Sequence, residues 1–294
     1  MMIRLEHVTK EFAPGRGIFD VSFTVDPGMI FGFIGPNGSG KSTTLRHLMG
    51  LMAADDGRAT IGGFDCWKQS KEVKQLVGYL PGEISLPGDM TGADMLDLMQ
   101  RLHGSDPARR QLLLNRFPFE TKTKIRKMSK GMKQKLALVG CFMKDASVYL
   151  LDEPTSGLDP LMQERFLEWI EQEKHAGKAI LMSSHHFPEM EKSCDRAALI
   201  KAGRIIVESD IHELVRSSRK TYTIVFRTEV EAAQFAMQVG VEPKGLEVSF
   251  QTDETLSLNQ AIAYLTQYDV RLIRPSADDL EQVFLHYYGE EESS

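Results

Sequence analysis

The chain has 294 residues, 42% of them hydrophobic and 26% charged, with 35 basic against 41 acidic side chains and a formal net charge of −6. That is the make-up of an ordinary globular protein with a buried core and room for about two domains; it excludes disordered, collagenous and disulfide-scaffolded classes. The negative balance also speaks against a nucleic-acid coat, which needs concentrated positive charge, though it leaves room for a local basic patch.

The first six residues mix acid and base without a small-residue cleavage site, so no secretory signal is expected. Residues 3–8 and 18–25 alternate apolar and polar side chains and predict two half-exposed antiparallel strands separated by Pro14-Gly15. Residues 29–34 form a continuous apolar run, as do 147–151 and 179–183, and each predicts a strand buried on both faces. None of these runs, nor 136–143, approaches the ~18 residues of a spanning helix. Helical periodicity covers 94–102, 133–143 and 162–175. Strands alternating with helices predict an α/β fold with a mostly parallel sheet and an added antiparallel part.

The polar stretch Ser217-Ser218-Arg219-Lys220 sets the expected boundary, giving domains 1–216 and 217–294. Beyond it, strands over 221–227, 246–252 and 270–274 and helices over 230–239, 256–268 and 278–288 predict a small α+β unit with a frayed acidic tail. Cys66, Cys141 and Cys194 are odd in number and far apart, as reduced structural thiols would be.

Two segments carry chemistry. Gly35-Pro36-Asn37-Gly38-Ser39-Gly40-Lys41-Ser42 matches the GxxxxGK[ST] phosphate loop, after a buried strand and before a helix spanning 41–51. Its glycines let backbone N–H groups turn toward phosphate oxygens at a positive helix end. Lys41 would neutralise the β- and γ-phosphates of ATP and Ser42 would ligate Mg²⁺; Thr43, next in line, joins the nucleotide-binding set. The second segment is an apolar strand that ends in Asp152-Glu153. An acid at the carboxyl end of a parallel strand sits where open α/β sheets bind ligands, so Asp152 is expected to anchor Mg²⁺ and Glu153 to act as general base. The bland alternative is a pair of acids capping the next helix.

The run Asp152-Glu153-Pro154-Thr155-Ser156-Gly157-Leu158-Asp159-Pro160 resembles the Walker B and D-loop segment of ABC-family ATPases, and the likeness extends over roughly residues 2–216. That resemblance implies the P-loop ATPase fold with a helical insert. It further implies that Phe12 stacks on adenine and that Asp159 belongs to the D-loop. His185, after Ser183-Ser184, matches the switch histidine at the γ-phosphate, with His186 offset by one. The family signature Leu-Ser-Gly-Gly-Gln is altered here to Met128-Ser129-Lys130-Gly131-Met132. Ser129 and Gly131 remain to meet a γ-phosphate presented by another subunit. Seven basic residues and no acid occur from Lys122 to Lys135, which reads either as a solvated face or as added attraction for ATP. Where the family places a Q-loop glutamine, this chain has Gly82-Glu83, and Glu83 is expected to substitute as the metal-side oxygen ligand, one position displaced.

The resemblance implies an ATP-hydrolysing subunit, with ATP and Mg²⁺ as cofactors, that powers a separate membrane permease, for export. It would lie peripherally on the cytoplasmic face of the cell membrane and pair with a second ATPase subunit as a homodimer or heterodimer; no nucleic acid is expected among its partners. Met90, Met95, Leu96, Leu98 and Met99 of the insert between Pro87 and Phe117 would face the permease, or else pack in the core. The end of the chain, 275–285, resembles the tail of bacterial export subunits, with Leu280, Val283 and Phe284 on one helix face. Two other readings stay open: a soluble ABC ATPase in translation or DNA repair, and a poorly hydrolysing, ATP-gated member of a heterodimer.

Overall fold

The computed structural model describes residues 1–211, 213, 221–252 and 258–275. The chain divides into two compact units, Met1–Ile211 and His212–Ser294.

In the first unit the strands β1 (Ile3–Ala13), β2 (Arg16–Val25), β4 (Asp56–Ile61) and β5 (Phe64–Asp65) form an antiparallel sheet in the order β2-β1-β4-β5. A six-stranded sheet holds β3 (Met29–Ile34), β6 (Val77–Leu80), β7 (Val148–Asp152), β8 (Ala179–Ser184), β9 (Arg196–Lys201) and β10 (Arg204–Asp210) in the order β10-β9-β3-β8-β7-β6. All its neighbours are parallel except the β10/β9 edge. The alternating N-terminal strands supply one apolar face each, and Ile3, Leu5, Val21 and Phe23 pack on Phe31 and Phe33 of β3. Phe23 stacks on Phe31 with ring centroids 5.0 Å apart.

Strand β7 explains its continuous apolar run. Val148 and Leu150 join that core, whereas Tyr149 turns to the opposite face against Phe142, at 4.7 Å. There α5 (Lys130–Phe142) and α6 (Pro160–His175) contribute Phe142, Phe166 and Trp169. The Phe142 and Phe166 rings, wholly removed from water, each contribute about 2–3 kcal/mol. The remaining helices are α1 (Lys41–Leu48), α2 (Ser70–Leu76), α3 (Gly92–His103), α4 (Pro107–Arg116) and α7 (Phe187–Ser193).

Helix α3 begins with a capping box between Thr91 and Asp94 and ends at Gly104 in the left-handed conformation, φ 65°. It approaches α5 closely: a Cβ on Gly140 would stand 2.4 Å from Met99 Sδ. Leu96 is buried in the core and Met99, half-buried, packs on Gly140, while Leu98 remains 40% exposed.

In the second unit β11 (Thr221–Phe226), β12 (Glu247–Gln251) and β13 (Val270–Pro275) pair antiparallel in the order β12-β11-β13. Helices α8 (Glu229–Val239) and α9 (Leu258–Leu265) bury Phe235, Ala261 and Leu265 with Phe226 and Phe250 of the strands. The helix expected over 278–288, with Leu280, Val283 and Phe284, lies outside the described residues. All three cysteines are free and buried, and burial pushes the thiols of Cys66 and Cys194 up to about 12, as inert structural thiols would be. Among the described residues no helix is long and apolar enough to cross a membrane.

Candidate active site

Strand β3 runs into the loop 35–40, and α1 starts at Lys41. Two of the loop's glycines leave no room for a side chain. A Cβ on Gly35 would stand 2.4 Å from the Ile200 carbonyl oxygen; Gly40 has φ 112° and would meet Ile18 Cγ2 at 2.6 Å. Helix α1 has no side-chain N-cap and no acid in its first turn, so its first amides face no competing carboxylate of their own helix. Ser39 Oγ is buried without a hydrogen-bond partner. A tight glycine cradle, a bare helix start and an unmatched hydroxyl fit an anionic phosphate chain.

Lys41 is only 5% exposed. Its Nζ donates to the Gly35 carbonyl at 2.6 Å and the Pro36 carbonyl at 3.2 Å, and lies 3.6 Å from Glu153 Oε1. Burial lowers its pKa, and the neighbouring carboxylates of Glu153 and Asp152 oppose that shift. Ser42 and Thr43, both half-buried, follow on the first turn of α1.

The two acids come from the carboxyl end of β7. Asp152 is buried and accepts a hydrogen bond from Ser183 Oγ on the adjacent strand β8. Glu153 adopts the left-handed region at φ 49°, uncommon for a residue with a Cβ, and its amide is held by the Ser183 carbonyl at 3.1 Å. Its Oε2 lies 2.9 Å from His185 Nδ1, while Oε1 is buried without a hydrogen bond and turns toward Lys41. The loop lysine, the second acid and the histidine therefore converge. His186 is exposed, with its ring 4.4 Å from that of His185.

The other sequence candidates fall in three places. Phe12, near the end of β1, is 56% exposed. Ser129 caps α5, accepting from the Met132 amide at 3.2 Å, and Asp159 caps α6, accepting from the Met162 amide at 3.0 Å. These caps pack together: Lys130 Nζ donates to Ser156 Oγ at 2.9 Å, and a Cβ on Gly131 would stand 2.8 Å from the Gly157 carbonyl oxygen. At the Q-loop position it is Gly82 that abuts Asp152, since a Cβ there would lie 3.1 Å from Oδ2; Glu83 is exposed.

Two residues escaped the sequence reading. Gln134, buried on α5, donates to the Pro154 carbonyl at 2.6 Å and so ties the signature helix to the acid loop. Its signal was a polar residue on the apolar side of a helical period. Glu189 of α7 accepts from Thr155 Oγ1 at 2.7 Å, and nothing in its local sequence marks it. Among the described residues no three His, Cys, Asp or Glu side chains gather to hold a metal by themselves. A hydroxyl and a carboxylate are a donor set suited to Mg²⁺ that keeps phosphate and water oxygens.

Comparison with known proteins places these features in a family. Residues 18–156 match the family model described as ABC transporter. The chain is 37% identical over 211 residues to the "ABC transporter ATP-binding protein NatA" of Bacillus subtilis, spanning 69% of this chain and 86% of that one. It is 36% identical over 221 residues to a "Nod factor export ATP-binding protein I" of Burkholderia lata, covering 73% of each. A solved "ATP binding subunit of ABC transporter" superposes with a TM-score of 0.68 at 29% identity, over 74% of this chain and 92% of that one.

Proposed function

The chain belongs to the ATP-binding proteins of the ABC transporter family, and on that premise we propose that it hydrolyses ATP to drive a separate membrane permease, in the direction of export. The observation that carries the hydrolytic reading is the placement of Glu153 between Lys41 and His185, at 3.6 and 2.9 Å. A carboxylate held beside the phosphate loop by a histidine is positioned to take a proton from water attacking the γ-phosphate. Gly35, Pro36, Asn37, Gly38, Ser39, Gly40, Lys41, Ser42 and Thr43 would cradle the phosphates, and Phe12 would lie against adenine. Mg²⁺, held by Ser42 and Asp152, would neutralise phosphate charge, and Glu83 would have to turn in from the surface to join them. His185 would keep the base oriented. Ser129 and Gly131 of one chain would close on the nucleotide of a second, with Asp159 in the loop between the two sites.

Export rests on the relatives' names, one of them an export protein. The permease would seat in an apolar cleft of about 350 Å³ beside the loop after β6, lined by Leu80, Ile84, Leu86, Met99 and Ala137. Such a subunit would sit peripherally on the cytoplasmic face of the membrane.

The test is a pair of variants. Glu153→Gln should bind ATP as the parent does while turnover falls by about a hundredfold or more; parent-rate hydrolysis would sink the base assignment. Lys41→Ala should weaken nucleotide binding itself by about tenfold or more, because a buried charge-assisted contact is lost. The altered signature, with Lys130 and Met132, favours one second reading: a poorly hydrolysing partner in a heterodimer. Turnover by the purified chain that Glu153→Gln abolishes rules that out.

A further inference from the structure

Glu189 stands on α7 and gathers two buried hydroxyls onto one carboxylate oxygen. Its Oε2 accepts from Thr155 Oγ1 at 2.7 Å and, more weakly, from Ser184 Oγ at 3.4 Å. Thr155 is 3% exposed and Ser184 fully buried, so neither hydroxyl has bulk water as a substitute. Ser184 Oγ also accepts from the His186 amide at 3.0 Å. In sequence, Thr155 lies two residues after Glu153 and Ser184 immediately before His185. The contact thus joins the turn that carries the base to the strand end that carries its histidine.

We propose that Glu189 is a positioning residue for hydrolysis, clamping Thr155 to Ser184 so that Glu153 and His185 keep their register across β7 and β8. The inference rests on the hydrolytic reading of Glu153. The site is an expensive one for an acid: Oε1 is buried without a hydrogen-bond partner. Burial pushes the carboxyl up to about 7, the nearby Glu153 charge adds to the shift, and the two hydroxyls and His185 oppose it. Simple packing would be served as well by an apolar side chain, whereas only an acceptor holds both hydroxyls. Glu189 makes none of these contacts to 35–43, so its loss should leave nucleotide capture alone.

The experiment compares MgATP binding and steady-state hydrolysis in the full chain for Glu189→Ala, Glu189→Gln, Thr155→Val and the double variant Glu189→Ala/Thr155→Val. Because small misplacements of reacting groups are costly, each of Glu189→Ala and Thr155→Val should lower kcat by about ten- to a hundredfold, with KM and ATP affinity within about twofold of the parent. The double variant should be no slower than the worse single, since both break one clamp. Glu189→Gln keeps an acceptor oxygen for Thr155 and should recover most of the turnover. Parent kcat in Glu189→Ala, a change confined to KM, or multiplying losses in the double variant would overturn the proposal. If Glu189→Ala does not fold, Thr155→Val against Thr155→Ser decides it: loss with valine and recovery with serine support the clamp, parent turnover with valine defeats it. Where Glu153→Gln blocks hydrolysis and Glu189→Ala does not slow it, this inference fails and the proposed function stands.

Discussion

Glu153 holds a left-handed backbone at φ 49°, a conformation that costs of order 1 kcal/mol for a residue with a side chain and survives only when its surroundings insist on it. Here they do, through the Ser183 carbonyl behind its amide and His185 in front of its carboxylate. The Ser183 carbonyl still holds the backbone when that ring is removed, so His185→Ala is expected to lower kcat by about a hundredfold with little change in melting temperature, read by phosphate release and thermal denaturation. Glu189 makes a prediction about pH. Its folded value near 7 lies above the ordinary 4.5, with Glu153 and His185 as the charges facing it and the hydroxyls of Thr155 and Ser184 as its donors. Between those values the folded chain keeps a proton that the unfolded chain has released, so this group's contribution to stability falls as pH rises from about 5 to 7. Glu189→Gln cannot titrate, and its melting temperature should decline less over that interval than the parent's. A parallel pair of curves would show that the carboxyl is already ionised when folded. Lys41, Asp152 and Glu153 could be read from the chain because each belongs to a contiguous motif beside a strand. Gln134 stands out only as a polar residue on an apolar helix side and Glu189 not at all, because their roles exist only through contacts 20 and 34 residues away.

Among elements, the ones that could be read were those whose burial follows one periodic rule. Strands β1 and β2 alternate, and β3, β7 and β8 open with continuous apolar runs because both faces are covered. Strand β4, Asp-Gly-Arg-Ala-Thr-Ile, is exposed over its first half and carries no such rule; its pairing to β1 makes it a strand. Helix α4 was equally opaque, since its Arg109 and Arg110 look like surface. Yet Arg109 reaches inward, donating to the Phe142 carbonyl at 2.7 Å, Tyr149 Oη at 3.1 Å and Glu173 Oε1 at 2.6 Å, with its guanidinium 5.4 Å from the centre of the Trp169 ring. Glu173 is 4% exposed, so deleting its partner strands a buried carboxylate. Arg109→Met should destabilise the first unit by about 3 kcal/mol, and Arg109→Met/Glu173→Met should regain a good part of that, as followed by urea denaturation. Equal losses in both variants would mean that the arginine acts by packing alone.

At the scale of the whole molecule, one unit carries one phosphate loop and one signature segment. The hydrogen bonds and close approaches of Lys130 and Gly131 run to Ser156 and Gly157 of the same chain. Under the proposed function the exposed side of that segment serves the nucleotide of another copy, so the active unit is a pair with two composite sites. That arrangement makes a prediction that no single-chain mechanism shares. Lys41→Ala removes the phosphate grip of a site and Ser129→Arg blocks its lid, and each variant alone should be inactive as a homodimer. Mixed in equal amounts, half the dimers formed at random are hybrids, and each hybrid has one intact site built from Lys41 of one chain and Ser129 of the other. If the two sites work independently, the mixture should recover about a quarter of parent turnover, because half the dimers then retain half their sites. No recovery, when subunit exchange is demonstrated by labelled chains, would mean that the sites fire only together or that Ser129 does not complete its neighbour. Turnover by either variant alone would instead mean that the residue it replaces is not needed for the reaction.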